Sequence, residues 1–183
     1  MCHMDICKKN AKSVEQIKQE YEQAVDPGLV VFIQNVRSAK KAAADKLDYA
    51  VSGISEKQKA DIESLTGELL SAKYNFIKGG TINHIENRHG VDGEADRSMA
   101  DIHDVARIGF ILHNYDEVDF LRNEKGEIIK SGSHTARNGK AAPILIYVKK
   151  INGFYSVVEA INDGKRRRLD IITAYKSRKN PLK

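Results

Sequence analysis

The stretch Ile144-Leu145-Ile146-Tyr147-Val148-Lys149-Lys150-Ile151-Asn152-Gly153-Phe154-Tyr155-Ser156-Val157-Val158-Glu159-Ala160-Ile161 decides the fold. Pro143 opens a run of β-branched and aromatic side chains, which suit the pleated, half-buried surface of a strand. Asn152-Gly153 supplies the left-handed backbone that a two-residue hairpin turn needs. Phe154 to Ile161 then returns as the partner strand. Downstream, Asn162-Asp163-Gly164 reads as another turn, and Arg168 to Tyr175 as a last strand. Upstream, Val118 to Leu121 reads as a strand, and Glu124-Lys125-Gly126 as a turn into Ile128-Ile129. Strands joined in this order predict an antiparallel β-meander.

The chain before the meander follows a helical period instead. Residues 10–24 are polar with sparse apolar positions at Val14, Ile17 and Tyr21. Asp26-Pro27 reads as an N-cap followed by proline at the first helical position. The helix after it runs to about Ala50, with one apolar stripe through Leu29, Phe32, Ile33, Val36, Ala39 and Ala43. Ser55 with Gln58 forms a capping-box pattern for a helix through Ile62, Leu65 and Leu69. Gly79-Gly80 breaks the chain before Thr81, which can cap a helix ended by Gly90. Ser98 with Asp101 opens another helix, apolar at Ile102, Val105, Ala106, Ile108, Gly109, Ile111 and Leu112. Helices first and strands after make an α+β fold. The expected division is a helical N-terminal extension or linker over 1–54 and a folded domain over 55–183.

Composition narrows the function. The chain has 183 residues, 41% of them hydrophobic and 30% charged, as expected of a soluble globular protein. It holds no apolar run long enough for a bilayer and no signal-peptide pattern, so the expected setting is cytoplasmic, without a membrane. Cys2 and Cys7 frame no core, which suits a reducing compartment or a piece of a longer protein. The net charge of +5 is unevenly spread. Residues 1–70 carry 10 Lys/Arg against 11 Asp/Glu (−1), residues 71–136 carry 8 against 11 (−3), and residues 137–183 carry 12 against 3 (+9). So basic a C-terminal quarter is the footprint of a polyanion partner, or a solvated basic surface.

The residue types suited to chemistry lie in His84-Ile85-Glu86-Asn87-Arg88-His89. Imidazole takes and gives protons near neutrality. Guanidinium offers phosphate a permanent, fork-shaped charge. On a helix His84 and Arg88 lie about 40° apart and share a face. His89 falls about 140° from His84 if the helix continues that far. Zinc-binding helices place their histidines at i and i+4, so this spacing argues against a metal pair. The purely structural alternative has one histidine packed and hydrogen-bonded and the other favourable to the helix C-terminus. In the last strand, alternation puts Leu169, Ile171, Thr173 and Tyr175 on one face, with Asp170, Ile172, Ala174 and Lys176 on the other. Thr173 and Tyr175 then offer a hydroxyl and a phenol at the edge of a core, or serve only as good strand formers. Lys149, Lys150, Lys165-Arg166-Arg167-Arg168, Lys176, Arg178 and Lys179 can line one sheet edge as phosphate contacts. Tyr147, Phe154, Tyr155 and Tyr175 offer stacking surfaces for unpaired bases, or belong to the core.

Three runs taken together resemble a known family: Ile82-Asn83-His84-Ile85-Glu86-Asn87-Arg88-His89-Gly90, then Asp96-Arg97-Ser98-Met99-Ala100-Asp101-Ile102, then Ala106-Arg107-Ile108. With the closing Ile172-Thr173-Ala174-Tyr175-Lys176, they look like the phage-associated nuclease domains of the barnase–EndoU–colicin–RelE group. The resemblance covers about residues 55–179. It implies helices followed by a four-stranded antiparallel sheet, and metal-independent RNA cleavage with no cofactor. By position it makes His84, His89, Thr173 and Tyr175 the catalytic candidates. Arg88, Lys149, Arg166, Arg168 and Lys176 are the candidate substrate contacts. The implied partners are RNA and a cognate immunity or antitoxin protein, and the implied setting is a toxin or phage effector acting in the cytoplasm. The other reading of the same features is a non-catalytic RNA- or partner-binding module that uses only the basic strands.

Overall fold

The β-hairpin around Asn152-Gly153 forms as the sequence dictates. A computed structural model describes residues 12–183; Cys2 and Cys7 lie outside the described residues. Asn152 and Gly153 both have positive φ, 49° and 97°, within a three-residue connection in which the Ile151 amide donates to the Gly153 carbonyl at 2.9 Å. They join β5 (Ala141–Lys150) to β6 (Phe154–Asn162) in an unbroken antiparallel ladder from Ile144↔Ala160 to Lys150↔Phe154. β7 (Arg168–Ser177) adds antiparallel to β6, and β3 (Glu117–Phe120) adds antiparallel to the other side of β5. β4 (Lys130–Thr135) pairs with the start of β5 only at Lys130↔Pro143 and Thr135↔Ala141.

The sheet is larger than a four-stranded meander, and it is mixed. It has seven strands in the order β1-β2-β7-β6-β5-β3, with β4 on β5. β1 (Asp48–Gly53) and β2 (Tyr74–Lys78) come from the part expected to be helical. β2 pairs parallel with β7 through Asn75↔Leu169, Phe76↔Asp170 and Ile77↔Ile171.

The helices depart from expectation where tertiary contacts override local pattern. α1 (Val14–Gln23) carries a reciprocal capping box between Ser13 and Gln16. α2 (Pro27–Ser38) starts as expected, with the Asp26 carboxylate accepting from the Gly28 and Leu29 amides. It stops twelve residues short of Ala50, because α3 (Lys41–Ala44) and β1 follow. Tyr49 of β1 donates to the Asp26 carboxylate and rests its ring on Phe32, so pairing and packing outweigh the helical preference of the alanines. α4 (Glu56–Thr66) is capped by Ser55. α5 (Gly79–His89) begins at Gly79, not at Thr81. A Cβ at Gly79 would collide with the Ala44 carbonyl oxygen, so glycine lets α5 start hard against α3. The expected helix from Ile102 splits into α6 (Ile102–Val105) and α7 (Ile108–Asn114), and Asp101 alone caps α6.

One core joins these parts. Leu29, Ile33 and Val36 of α2, Ile82 and Ile85 of α5, and Ile108, Ile111 and Leu112 of α7 are buried with Tyr147, Tyr155, Val157, Leu169 and Ile171 of the sheet. A boundary after residue 54 would cut through this core and strip β1 from the sheet. The opposite face of the sheet carries a smaller cluster of Ile144, Ile146, Val148 and Val158, covered by Leu121, Ile129 and Leu182. Among the described residues no helix is long and apolar enough to cross a membrane.

Glu159 of β6 is fully buried on the helix-facing side. Gln58 Nε2 lies 3.3 Å from its Oε2, 3.2 Å from the Tyr147 hydroxyl and 2.9 Å from Asn75 Oδ1. Burial pushes its pKa up to about 8, despite hydrogen bonds from Tyr147 and Gln58. The folded state therefore holds a proton that the unfolded chain releases near pH 4.5. The resulting stability is complete below that pH and is lost as pH rises toward 8. Melting curves should show Glu159→Gln matching the parent near pH 4.5 and exceeding it by at least about 3 °C at pH 8.

Candidate functional site

The parallel ladder between β2 and β7 ends at Ile77↔Ile171, and β2 passes straight into α5. The rest of β7 has lost its strand neighbour on that side. α5 and the loop behind it take the vacant edge. Thr81 Oγ1 donates to the Ile171 carbonyl at 3.0 Å, and the Lys176 amide donates to Ser98 Oγ at 3.1 Å. Thr81 and Ser98, which the sequence offers as helix caps, instead fasten the edge of β7.

A bulge then sets which side chains meet. β6 and β7 are in register at Glu159↔Ile171 and again at Val158↔Thr173, leaving Ile172 unmatched. An extra residue reverses the alternation beyond it. Leu169, Ile171 and Ala174 join the helix-side core, whereas Tyr175 packs against the cluster on the opposite, outer face. Thr173 and Tyr175 therefore share the outer face with Arg168 and Asp170, not the face of Leu169 and Ile171 expected from simple alternation.

α5 runs through His89, which brings its last side chain back to β7. The His89 ring stacks on Tyr175, with centroids 5.4 Å apart and planes 27° apart. Its Nδ1 lies 2.9 Å from Asp96 Oδ2, and its side chain is 13% exposed. Partial burial raises the Asp96 pKa, but hydrogen bonds from Ser98 and His89 outweigh it and hold the carboxyl below its ordinary value. The carboxylate can only accept, so the shared proton sits on Nδ1 and Nε2 is left for other work. His84 is exposed on α5. Partial burial, then the charges of His89 and Arg88, lower its pKa below 6.5, leaving the ring neutral at pH 7. Thr173 Oγ1 is buried without a hydrogen-bond partner. Burial also raises the Tyr175 phenol.

The expected cations do not all gather here. Arg88 is half exposed at the end of α5, with Glu94 3.5 Å away. Lys176 points to the helix-side face, where Nζ meets Asp104 at 2.6 Å. Lys149 is buried against Asp116 at 2.7 Å, level with Lys176 but two strands across the sheet from it. Arg168 is buried at the start of β7 between Asp48 and Asp170, at 2.9 and 2.8 Å, with its guanidinium over Phe76. Arg166 stays exposed, 3.8 Å from Asp48. Tyr147 and Tyr155 are fully buried and give no stacking surface.

Two acidic partners have no sequence signal. Asp96 follows His89 by seven residues in an irregular loop, where no period links them. Asp170 of β7 faces His134 of β4 at 3.2 Å, a contact that depends on β4 crossing the sheet. Hydrogen bonds from His134 and Asn162 and the charge of Arg168 offset burial and hold the Asp170 carboxyl low.

Residues 50–183 match the phage-Barnase-EndoU-ColicinE5/D-RelE like nuclease 3 family. The chain belongs to this nuclease family. The match opens inside β1 and takes in α4, α5 and every later strand, hence all the site residues described above except Asp48. Comparison with curated proteins and with solved structures gives no match. A nuclease family implies a nucleic-acid substrate.

The unpartnered Thr173 hydroxyl contributes nothing to folding by hydrogen bonding. Replacing a buried, unsatisfied polar group by an apolar isostere is neutral or stabilising. Thr173→Val should leave the urea midpoint unchanged or raise it. Ser98→Ala, by contrast, should lower stability by about 1 kcal/mol and speed hydrogen exchange at the Lys176 amide.

Proposed function

We propose that the chain is an endoribonuclease that cleaves RNA by general acid–base catalysis without a metal ion, as a toxin or phage effector in the cytoplasm. The observation that carries this reading is His89 held between Tyr175 and Asp96, with His84 close enough to feel its charge. His84, neutral at pH 7, takes the proton of a ribose 2′-hydroxyl. The 2′-oxygen attacks the adjacent phosphorus, and the bond to the 5′-oxygen breaks. His89, oriented by Asp96 at Nδ1, returns a proton from Nε2 to the departing 5′-oxygen. The products are a 2′,3′-cyclic phosphate and a 5′-hydroxyl, and no atom comes from outside the chain and the RNA.

The remaining residues support this step. Tyr175 fixes the plane of the His89 ring. The Arg88 guanidinium meets the charge that grows on the phosphate, and the Thr173 hydroxyl, buried and unpartnered beside Tyr175, is a reserve donor that a small local opening would turn to the same charge. Arg88 can exchange its exposed contact with Glu94 for an RNA oxygen, since such surface pairs contribute little. An RNase working in the cytoplasm needs an inhibitor in the cell that makes it, so a cognate immunity or antitoxin protein is the expected partner.

Purified protein with total RNA in excess chelator should yield fragments ending in 2′,3′-cyclic phosphate. His84→Ala and His89→Ala should each lower kcat/KM by at least about 100-fold. Binding without cleavage, or cleavage indifferent to both substitutions, would overturn the proposal and leave a binding module. The pH profile gives a second check. Activity should rise as His84 loses its proton, on a limb below pH 6.5. Arg88→Gln removes a charge that lowers the His84 pKa, so it should move that limb to higher pH.

A further inference from the structure

The start of β7, at the far end of the strand from Tyr175, is basic for reasons the proposed chemistry does not use. The β6–β7 turn carries Lys165, Arg166 and Arg167, all exposed. The β4–β5 turn carries Arg137 and Lys140, also exposed. The two turns are fastened together: the Gly164 amide donates to the Thr135 carbonyl at 3.0 Å. The chain entering β2 is fastened to them as well, since the Lys73 amide donates to the Arg167 carbonyl at 3.3 Å. Lys73 is exposed, like its neighbour Tyr74.

The acidic groups among these turns are already engaged. Asp163 accepts from the Ser71 amide and hydroxyl at 2.8 and 2.7 Å, and Glu68 is bonded to Asn138. Of the cations, Arg166 alone has a carboxylate within 4 Å among the described residues, Asp48 at 3.8 Å. Tyr74 adds an aromatic surface. Its ring is 52% exposed and stands edge-on to Phe76, centroids 6.4 Å apart, and Phe76 in turn lies under the Arg168 guanidinium. A large exposed aromatic amid unpaired cations is the combination that holds a single-stranded nucleic acid, with phosphates on the cations and a base on the ring.

We propose that the β6–β7 turn, the β4–β5 turn and Tyr74 form a docking surface for single-stranded RNA, separate from the residues that cleave it. This rests on the nuclease reading for its biological sense, but its binding chemistry stands apart from catalysis. Seven residues of β7 separate Arg168 from Tyr175, roughly 20 Å of extended strand. An RNA strand anchored at the turns need span only that length to reach His89. The Arg168–Asp48, Arg168–Asp170 and His134–Asp170 contacts brace the strands beneath the anchor.

The test uses the full chain carrying His84→Ala, so that cleavage plays no part, and a fluorescent single-stranded oligoribonucleotide of mixed sequence. Anisotropy titrations at several salt concentrations should give a steep slope. Replacing Arg137, Lys140, Lys165 and Arg167 together by Gln should reduce that slope by about 3, near 0.7 per lost phosphate contact. Tyr74→Ala should weaken single-stranded binding about tenfold and leave binding of a hairpin duplex unchanged. Circular dichroism confirms that each variant is folded. An unaltered salt slope in the fourfold variant, or equal effects of Tyr74→Ala on single strand and duplex, overturns the docking surface. Neither result bears on whether the parent chain cleaves RNA. Conversely, absence of cleavage by the parent leaves the binding measurement intact.

Discussion

A ladder of three residue pairs governs the arrangement of this molecule: Asn75, Phe76 and Ile77 of β2 against Leu169, Asp170 and Ile171 of β7. It is the only parallel pairing among the described strands, and it joins segments nearly a hundred residues apart in the chain. Its shortness matters as much as its existence. Two more pairs would occupy the edge of β7 as far as Thr173. β2 stops instead, α5 starts at once, and the helix takes the edge the strand gives up. The backbone groups left on β7 are satisfied there by side chains, Thr81 for the Ile171 carbonyl and Ser98 for the Lys176 amide. Buried main-chain groups need partners, so those two hydroxyls hold α5 and its following loop at the distance where His89 can lie flat on Tyr175.

The two faces of the sheet manage polarity in different ways. The helix-facing side buries one neutralised network of Gln58, Asn75, Tyr147 and Glu159, in which the carboxyl keeps its proton rather than its charge. The outer side keeps charges and pairs them, Arg168 with Asp48 and Asp170, and Asp170 with His134. Burying ion pairs is a weak source of stability, because desolvation consumes most of the attraction. These pairs lie buried at the start of β7, and beyond them Ile172 and Tyr175 join the apolar cluster under Leu121, Ile129 and Leu182.

What could be read in the sequence was what local rules decide. Asn152-Gly153 forces a hairpin wherever it falls between two strands, and Asp26-Pro27 starts a helix on its own hydrogen bonds. The shared face of His84 and Arg88 follows from helical geometry alone. β1 and β2 could not be read, because each is short and is stabilised by partners distant in sequence. Ala39, Ala43 and Ala50 satisfy a helical pattern until Tyr49 finds Asp26 and Phe32. The bulge at Ile172 leaves no mark in β7 itself, since it is a mismatch of register with β6, and it alone moves Thr173 and Tyr175 across the sheet. Charge was legible as a total and not as a disposition. Lys149 and Lys176 look like Arg166 in the sequence, but each is consumed by an aspartate, Asp116 or Asp104, that only folding brings near.

That sorting of cations bears directly on how the molecule meets a nucleic acid. Paired lysines and arginines hold the sheet together, while Lys73, Arg137, Lys140, Lys165 and Arg167 stay exposed and, among the described residues, unpaired at the turns by the start of β7, as Lys150, Arg178 and Lys179 do at its other end. The histidines lie by its other end. The outer face between them is narrow, with the Leu121, Ile129 and Leu182 cover on one side and β1 and β2 on the other. A strand of unpaired nucleotides can lay a base on Tyr74, which stands exposed among the free charges of the turns. A duplex hides its bases inside and presents a rod of phosphates too wide to settle along one β-strand. An exposed aromatic beside unpaired cations therefore suits unpaired nucleotides better than a duplex, and requires no contact that reads sequence.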